Sequence, residues 1–167
     1  TIPDVELKVN AQLLASNLEA ETCTLTLRLT CDGRQVAAAE ASVHLQEYEH
    51  WLGCNKDVKQ LAAFIMPNHP DVIRIVAQAA RFIEQWTGNP TMAAYLRGPE
   101  HVLQQAAAIY AAIQKENIVY MIDPPSFEVT GQRIRLCDTI IRTKTGCCID
   151  MSLLFCACLE HVGLHPL

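Results

Sequence analysis

The stretch 132-QRIRLCDTIIRTKTGCCIDMSLLFCACLEHVGLHPL-167 sets Gly146 directly before two cysteines, Cys147 and Cys148, at the head of an apolar helical run. Ile149, Leu153, Leu154, Ala157 and Leu159 supply one apolar face, which predicts a helix from about Cys147 to His161 stopped by Gly163. A brief helix around Asp138 to Thr143 leads into Gly146. A cysteine in the first turn of a buried helix meets the positive end of the helix dipole and several backbone N–H groups without helical partners. Both favour thiolate, the nucleophilic form. A partner imidazole would activate it further. On spacing alone, a core cysteine that happens to begin a helix is the commoner case.

Working back from this stretch, Ile118 to Ile122 reads as a short buried strand ended by Asp123-Pro124-Pro125. A helix starts near Pro99 and carries Val102, Leu103, Ala106, Ile109, Tyr110 and Ile113. Another follows Pro70, with Val72, Ile73, Val76, Ala79, Ala80 and Ile83 as a stripe to Trp86 and Gly88 as its stop. Asp57 to Ile65 reads as a short helix closed by Met66-Pro67-Asn68-His69-Pro70. Before Trp51 the period changes to two. Glu6 to Leu14 and Cys23 to Leu29 alternate apolar and polar residues, Asp32-Gly33 turns the chain, and Gln35 to Leu45 returns. Two or three strands cannot bury both faces alone, so neighbouring strands are expected upstream.

Composition narrows the classes of function. Of 167 residues, 50% are hydrophobic and 19% charged, which permits a packed core and argues against wholesale disorder. The net charge of −5 sits entirely in Thr1 to His50, where eight acidic residues face three basic ones. No cluster of Lys and Arg forms a phosphate-binding surface, so direct nucleic-acid binding is not expected. Apolar runs such as Met151 to Leu159 are too short to span a membrane, and no secretory leader is visible. The eight cysteines lack the spacings of a disulfide framework or of paired zinc-binding elements. They are read as reduced thiols of a cytoplasmic protein, with no cofactor and no metal. Thr1 in place of methionine fits a chain excised from a longer one.

The run Gly146-Cys147-Cys148-Ile149-Asp150-Met151-Ser152-Leu153-Leu154, with Ala157-Cys158-Leu159-Glu160 and Gly163-Leu164, resembles the nucleophile helix of the transglutaminase-like (papain-like cysteine) superfamily. There, a glycine, one variable residue and the active cysteine open a helix, and an acidic residue follows two positions later. The resemblance extends back through Leu61-Ala62-Ala63-Phe64, Pro67-Asn68-His69-Pro70, Trp86-Thr87-Gly88, Ala108-Ile109-Tyr110-Ala111-Ala112, Pro124-Pro125-Ser126-Phe127-Glu128 and Thr130-Gly131-Gln132. It is similar to a helicase-associated bacterial region of unknown function that precedes a helicase core in very large proteins.

The resemblance implies an α+β fold. Residues 1–50 would be a partial β-sandwich-like module, and 51–167 the helical, nucleophile-bearing half of a transglutaminase-like core. It implies Cys148 as nucleophile, Asp150 as the helix acid that supports the fold, and Gln132 as an oxyanion-hole donor. Arg133 and Arg135 are structural or substrate-positioning. The family's histidine would lie beyond Leu167, on a strand after the nucleophile helix. His161 lies more than three turns along the same helix, and His69 is either a helix-cap neighbour or a site residue. The expected function is therefore a fragment of a cysteine acyl-transfer or amide-hydrolysing domain, inactive as given, with a protein or peptide substrate. The alternative is a non-catalytic interaction scaffold with a papain-like fold. A metal or redox cysteine cluster is a third, distant reading.

Open strand edges are expected to be buried by exchange between copies, giving a dimer or higher oligomer. Light scattering checks this, and a monodisperse monomer would count heavily against it.

Overall fold

The structure is a computed structural model and describes residues 9–53, 58–123 and 131–166. The fold is α+β. In chain order the elements are helix α1 (Ala11–Ala15), strands β1 (Glu21–Cys31), β2 (Arg34–Leu45) and β3 (His50–Trp51), and a 3₁₀ helix at Val58–Phe64. Helices α2 (Pro70–Thr87) and α3 (Pro99–Gln114) follow, then β4 (Val119–Tyr120), β5 (Gln132–Arg133), α4 (Cys137–Thr143), β6 (Thr145–Gly146) and α5 (Cys148–His161). The chain divides into two compact units, Thr1–His50 and Trp51–Leu167.

In the first unit β1 and β2 form one antiparallel hairpin, with Glu21 opposite Leu45 and Cys31 opposite Arg34. Asp32 and Gly33, both at positive φ (49° and 76°), make the tight turn whose twist matches that of paired strands. Directly opposed residues share a face. Cys23, Leu25, Leu27 and Leu29 therefore stand with Val43, Ala41, Ala39 and Ala37, while Thr22, Thr24 and Thr26 stand with His44, Ser42 and Glu40. The apolar side of the hairpin is open: Leu27 and Leu29 are exposed. The strand expected over Glu6 to Leu14 is not found where it can be seen. Glu6 to Lys8 lie outside the described residues, and Ala11–Ala15 is helical. Asn10 explains the difference, because its Oδ1 accepts the N–H groups of Gln12 and Leu13 and so caps a helix at that point.

In the second unit, the short helix expected from Asp57 to Ile65 is a 3₁₀ helix over Val58–Phe64, with Asp57 outside the described residues. A run this short, closed by Pro67, tightens into i→i+3 bonding. The second helix, α2, begins and ends where its punctuation dictates. The Asp71 N–H donates to Nδ1 of the N-cap His69, Pro70 takes the first turn, and Gly88 at φ 75° donates to the Glu84 carbonyl at 2.8 Å. Its buried face is Val72, Ile75, Val76, Ala79 and Ile83. Ile75 is fully buried and belongs to this face; Ile73, expected on it, is exposed. The face is set by three neighbours, since α2 packs against α3, α4 and α5.

The helix α3 does not bury its most apolar stripe. Its buried side is His101, Gln105, Ala108, Ile109, Ala112 and Ile113, whereas Leu103 and Tyr110 face solvent. Two effects turn it away from the most apolar stripe. Ala108 and Ala112 let α2 approach closely, and Gln105 satisfies a loop that would otherwise have unpaired groups. Its Oε1 accepts the Ala94 N–H at 3.0 Å, and its Nε2 donates to the Ala94 and His101 carbonyls. Beyond α3, Glu116 receives Arg74 of α2 at 2.6 Å and Lys144 at 2.7 Å.

The strands β4 and β6 are parallel, with Tyr120 opposite Gly146 and N–H donations from Val119 to Lys144 and from Met121 to Gly146. The segment Ile118 to Ile122, expected to be buried, is mostly open; Val119, Tyr120 and Ile122 are exposed. A two-residue ladder is too small to cover it. The last helix, α5, closes with Gly163 at φ 79°. Leu164 donates to the Leu159 carbonyl and Gly163 to that of Glu160, and Leu164 is buried against the helix end. The main core joins α2, α3, α4 and α5, and a smaller one gathers Trp51, Ile134 and Leu153. Among the described residues, no helix is long and apolar enough to cross a membrane.

The orientation of α3 is testable. Leu103→Ser is expected to change unfolding stability in urea by less than about 0.5 kcal/mol. Overpacking with Ala108→Leu is expected to cost about 1–3 kcal/mol. The opposite ranking would mean that α3 faces the other way.

Candidate functional site

The site is built around the start of α5. The two-residue strand β6 delivers the chain to Cys147, which is extended (φ −91°, ψ −178°) and serves as N-cap, so Cys148 becomes the first helical residue. The Asp150 side chain fixes this junction. Its Oδ2 accepts the Cys147 N–H at 2.9 Å, and the carboxylate is fully buried. Arg135 completes its surroundings, donating from its backbone N–H to Oδ1 and from Nη1 to Oδ2, each at 2.9 Å. The same guanidinium grips Asp123 through Nη1 (2.7 Å) and Nη2 (2.9 Å). Hydrogen bonding to Asp123, and then to Asp150, raises the Arg135 pKa above its ordinary value, and Arg135 holds the Asp123 carboxyl below the usual carboxylate range. Gly146 packs closely: a Cβ there would lie 3.3 Å from the Met151 sulfur, so the methionine would have to shift slightly.

This geometry separates the two adjacent thiols. Cys147 is buried and Cys148 is exposed. Burial pushes the Cys147 and Cys156 thiols up, Cys137 up to about 11 and Cys158 up to about 12. These four are disfavoured as thiolates near neutral pH. Tyr120, across the β4–β6 ladder, was not singled out from the sequence, where it reads only as part of an apolar strand. Hydrogen bonding with Cys148 and the nearby thiolate charge raise its phenol above the ordinary value.

Gln132 is brought to the same place, half-buried, but its Nε2 donates to the sulfur of Cys147 at 3.4 Å rather than to Cys148. Arg135 belongs to the ion-pair network just described. His69 caps α2, so of its two readings the structure supports the cap. The other described histidines of Trp51–Leu167 are also engaged away from α5's first turn. His161 Nδ1 lies 2.7 Å from the Pro67 carbonyl, His101 Nε2 lies 3.1 Å from the Thr91 carbonyl, and the His165 ring stacks on Tyr95.

The chemistry of the donor set argues against a cation centre here. Asp123, Cys147 and Asp150 have ligand atoms within 4.8 Å of one another. Arg135 sits on both carboxylates and supplies the positive charge a metal would bring. No protein-family model, curated protein or solved structure matches this chain.

The Asp123 pair links stability to pH. Its folded pKa is depressed, so its contribution is present above the unfolded value of about 3.9 and is lost as pH falls through the lower folded value. Asp123→Asn is expected to lower stability at neutral pH by about 1–3 kcal/mol and to flatten the acid limb of the stability curve. Arg135→Met strands the buried Asp150 and is expected to cost about 3–5 kcal/mol. Chemical unfolding across pH checks both, and an acid limb unchanged in Asp123→Asn would remove the pair from the account.

Proposed function

We propose that this chain carries the nucleophile-bearing half of a transglutaminase-like, papain-like cysteine domain that transfers or hydrolyses amide-linked acyl groups. The observation that carries the reading is the exposure of Cys148 at the first position of α5, while its neighbour Cys147 is buried. Helix-start N–H groups are available at Cys148, and the amide of Gln132, bonded to the sulfur of the neighbouring Cys147, would have to turn to it to complete an oxyanion site.

In the proposed chemistry the Cys148 thiolate attacks the carbonyl carbon of a carboxamide or peptide. The C–S bond forms as the carbonyl π pair moves to oxygen, where the Cys148 N–H and Gln132 receive it. Collapse breaks the C–N bond, and the amine leaves with a proton delivered by the general acid. Water or a second amine then attacks the thioester and releases the thiol. The acid and base would be a histidine, which the resemblance implies on a strand after the nucleophile helix. The described histidines of this unit have other partners, so the chain alone is expected to acylate slowly and not to turn over.

The same histidine placement favours a second reading, a non-catalytic scaffold in which the papain-like core docks a partner or a neighbouring helicase motor. Cys148 reactivity separates the two. Alkylation by iodoacetamide, followed residue by residue by peptide mass spectrometry, is expected to be faster at Cys148 than at the exposed Cys31 of the hairpin. With an activated ester, Gln132→Ala is expected to slow acylation by about 10²-fold while leaving iodoacetamide labelling unchanged. Cys148 reacting no faster than Cys31 would leave the scaffold reading.

A further inference from the structure

Arg74, Arg81, Lys115 and Lys144 are scattered in the sequence, yet the fold gathers them where α2 packs against the end of α3. A cleft of 240 Å³ opens there, lined by Arg74, Ala77, Gln78, Arg81, Lys115 and Glu116. Arg74, Ala77, Gln78 and Arg81 are spaced i, i+3, i+4 and i+7, so they share one face of α2. Ala77 among them has only a methyl group and leaves room between the longer side chains. Lys115, the C-cap of α3, and Glu116 after it supply the other wall.

The charges around this cleft do not balance. Glu116 receives Arg74 at 2.6 Å and Lys144 at 2.7 Å, and hydrogen bonding from Arg74 holds its carboxyl below the usual carboxylate range. It is therefore an anion already matched by two cations. Arg74 Nε also lies 3.6 Å from Asp71. Arg81 and Lys115, by contrast, have no carboxylate partner among the described residues. The Lys115 ammonium is instead held 4.6 Å from the centre of the Phe82 ring, a contact that orients it without cancelling its charge. Phe82 in turn stacks on Trp86. Four cations thus meet two carboxylates, and the surplus faces one cleft from two helices.

We propose that this cleft binds the dianionic phosphate group of a phosphomonoester. Such a group carries about −1.5 to −2 charges at neutral pH and offers three strong acceptor oxygens. The charge matches the surplus on Arg81 and Lys115, and the oxygens suit the guanidinium fork of Arg81, the Lys115 ammonium and the Gln78 amide together. A carboxylate brings about half that charge on two oxygens, and a metal cation is repelled. The cleft holds about eight waters at liquid density, which is room for the phosphate itself, and is smaller than the sites of drug-sized ligands. The body of the ligand therefore lies outside it. The site is separate from Cys148 and does not depend on its role.

Amide NMR spectra of the isotope-labelled chain, titrated at constant low ionic strength, test the site. Inorganic phosphate and O-phosphoserine are expected to shift the amides of Arg74 to Arg81, Lys115 and Glu116 in a saturable way. Dimethyl phosphate, a singly charged diester, is expected to bind at least about tenfold more weakly. Arg81 and Lys115 are exposed, so the double variant Arg81→Gln, Lys115→Gln leaves the core intact; it is expected to weaken phosphate binding at least about tenfold. Arg97→Gln, at an exposed arginine outside the cleft, is expected to leave binding unchanged. A serine-phosphorylated peptide binding at least about tenfold tighter than O-phosphoserine would support the site and place its ligand on a phosphorylated protein. Equal affinity of the two would support it and place the ligand among small phosphomonoesters. Shifts that never saturate, full affinity for dimethyl phosphate, undiminished binding by the double variant, or an equal loss in Arg97→Gln would each overturn the proposal.

Discussion

The Asp150 carboxylate is fully buried at the start of α5, and the rest of the site depends on what makes that tolerable. Isolated in a protein interior, such a group costs several kcal/mol. Here it accepts from the Cys147 N–H, the Arg135 N–H and the Arg135 guanidinium, and Arg135 is itself held by Asp123. One carboxylate thus ties the residue before the helix to the segment after β5. The helix cannot begin a residue earlier or later without losing that arrangement. For this reason the position of Cys148 follows from an ion pair rather than from any contact of its own sulfur.

The same junction gives two adjacent cysteines opposite fates. Cys147 is the extended N-cap and turns inward, where burial keeps it a thiol and Gln132 donates to its sulfur. Cys148 is the first helical residue and points out, near Tyr120. In the proposed role of nucleophile Cys148 would gain from this rigid anchor, since a flexible thiol would lose much of its advantage to misorientation.

Around this junction, packing leaves specific surfaces uncovered. The alanines of α3 bring it close to α2, and that choice turns Leu103 and Tyr110 outward. Tyr110 then lines an open groove together with Met151, Ser152 and Phe155 of α5. The exposed apolar side of the β1–β2 hairpin arises differently, from a sheet of two strands that the other described residues of its own unit leave open. Both are consequences of which face an element buries.

Local rules were enough to place helix ends and turns. Pro70 and Gly88 bracket α2, Gly163 closes α5, and Asp32-Gly33 turns the hairpin, because caps and positive φ depend on neighbouring residues alone. The cysteine pair after Gly146 was legible for the same reason. Tertiary structure decided which faces were buried: Ile75 rather than Ile73, Gln105 and His101 rather than Leu103 and Tyr110. It also decided that the amide of Gln132 meets Cys147 and that Arg135 joins two carboxylates. Burial and pairing depend on residues far away in the chain, and periodicity within one element carries no information about them.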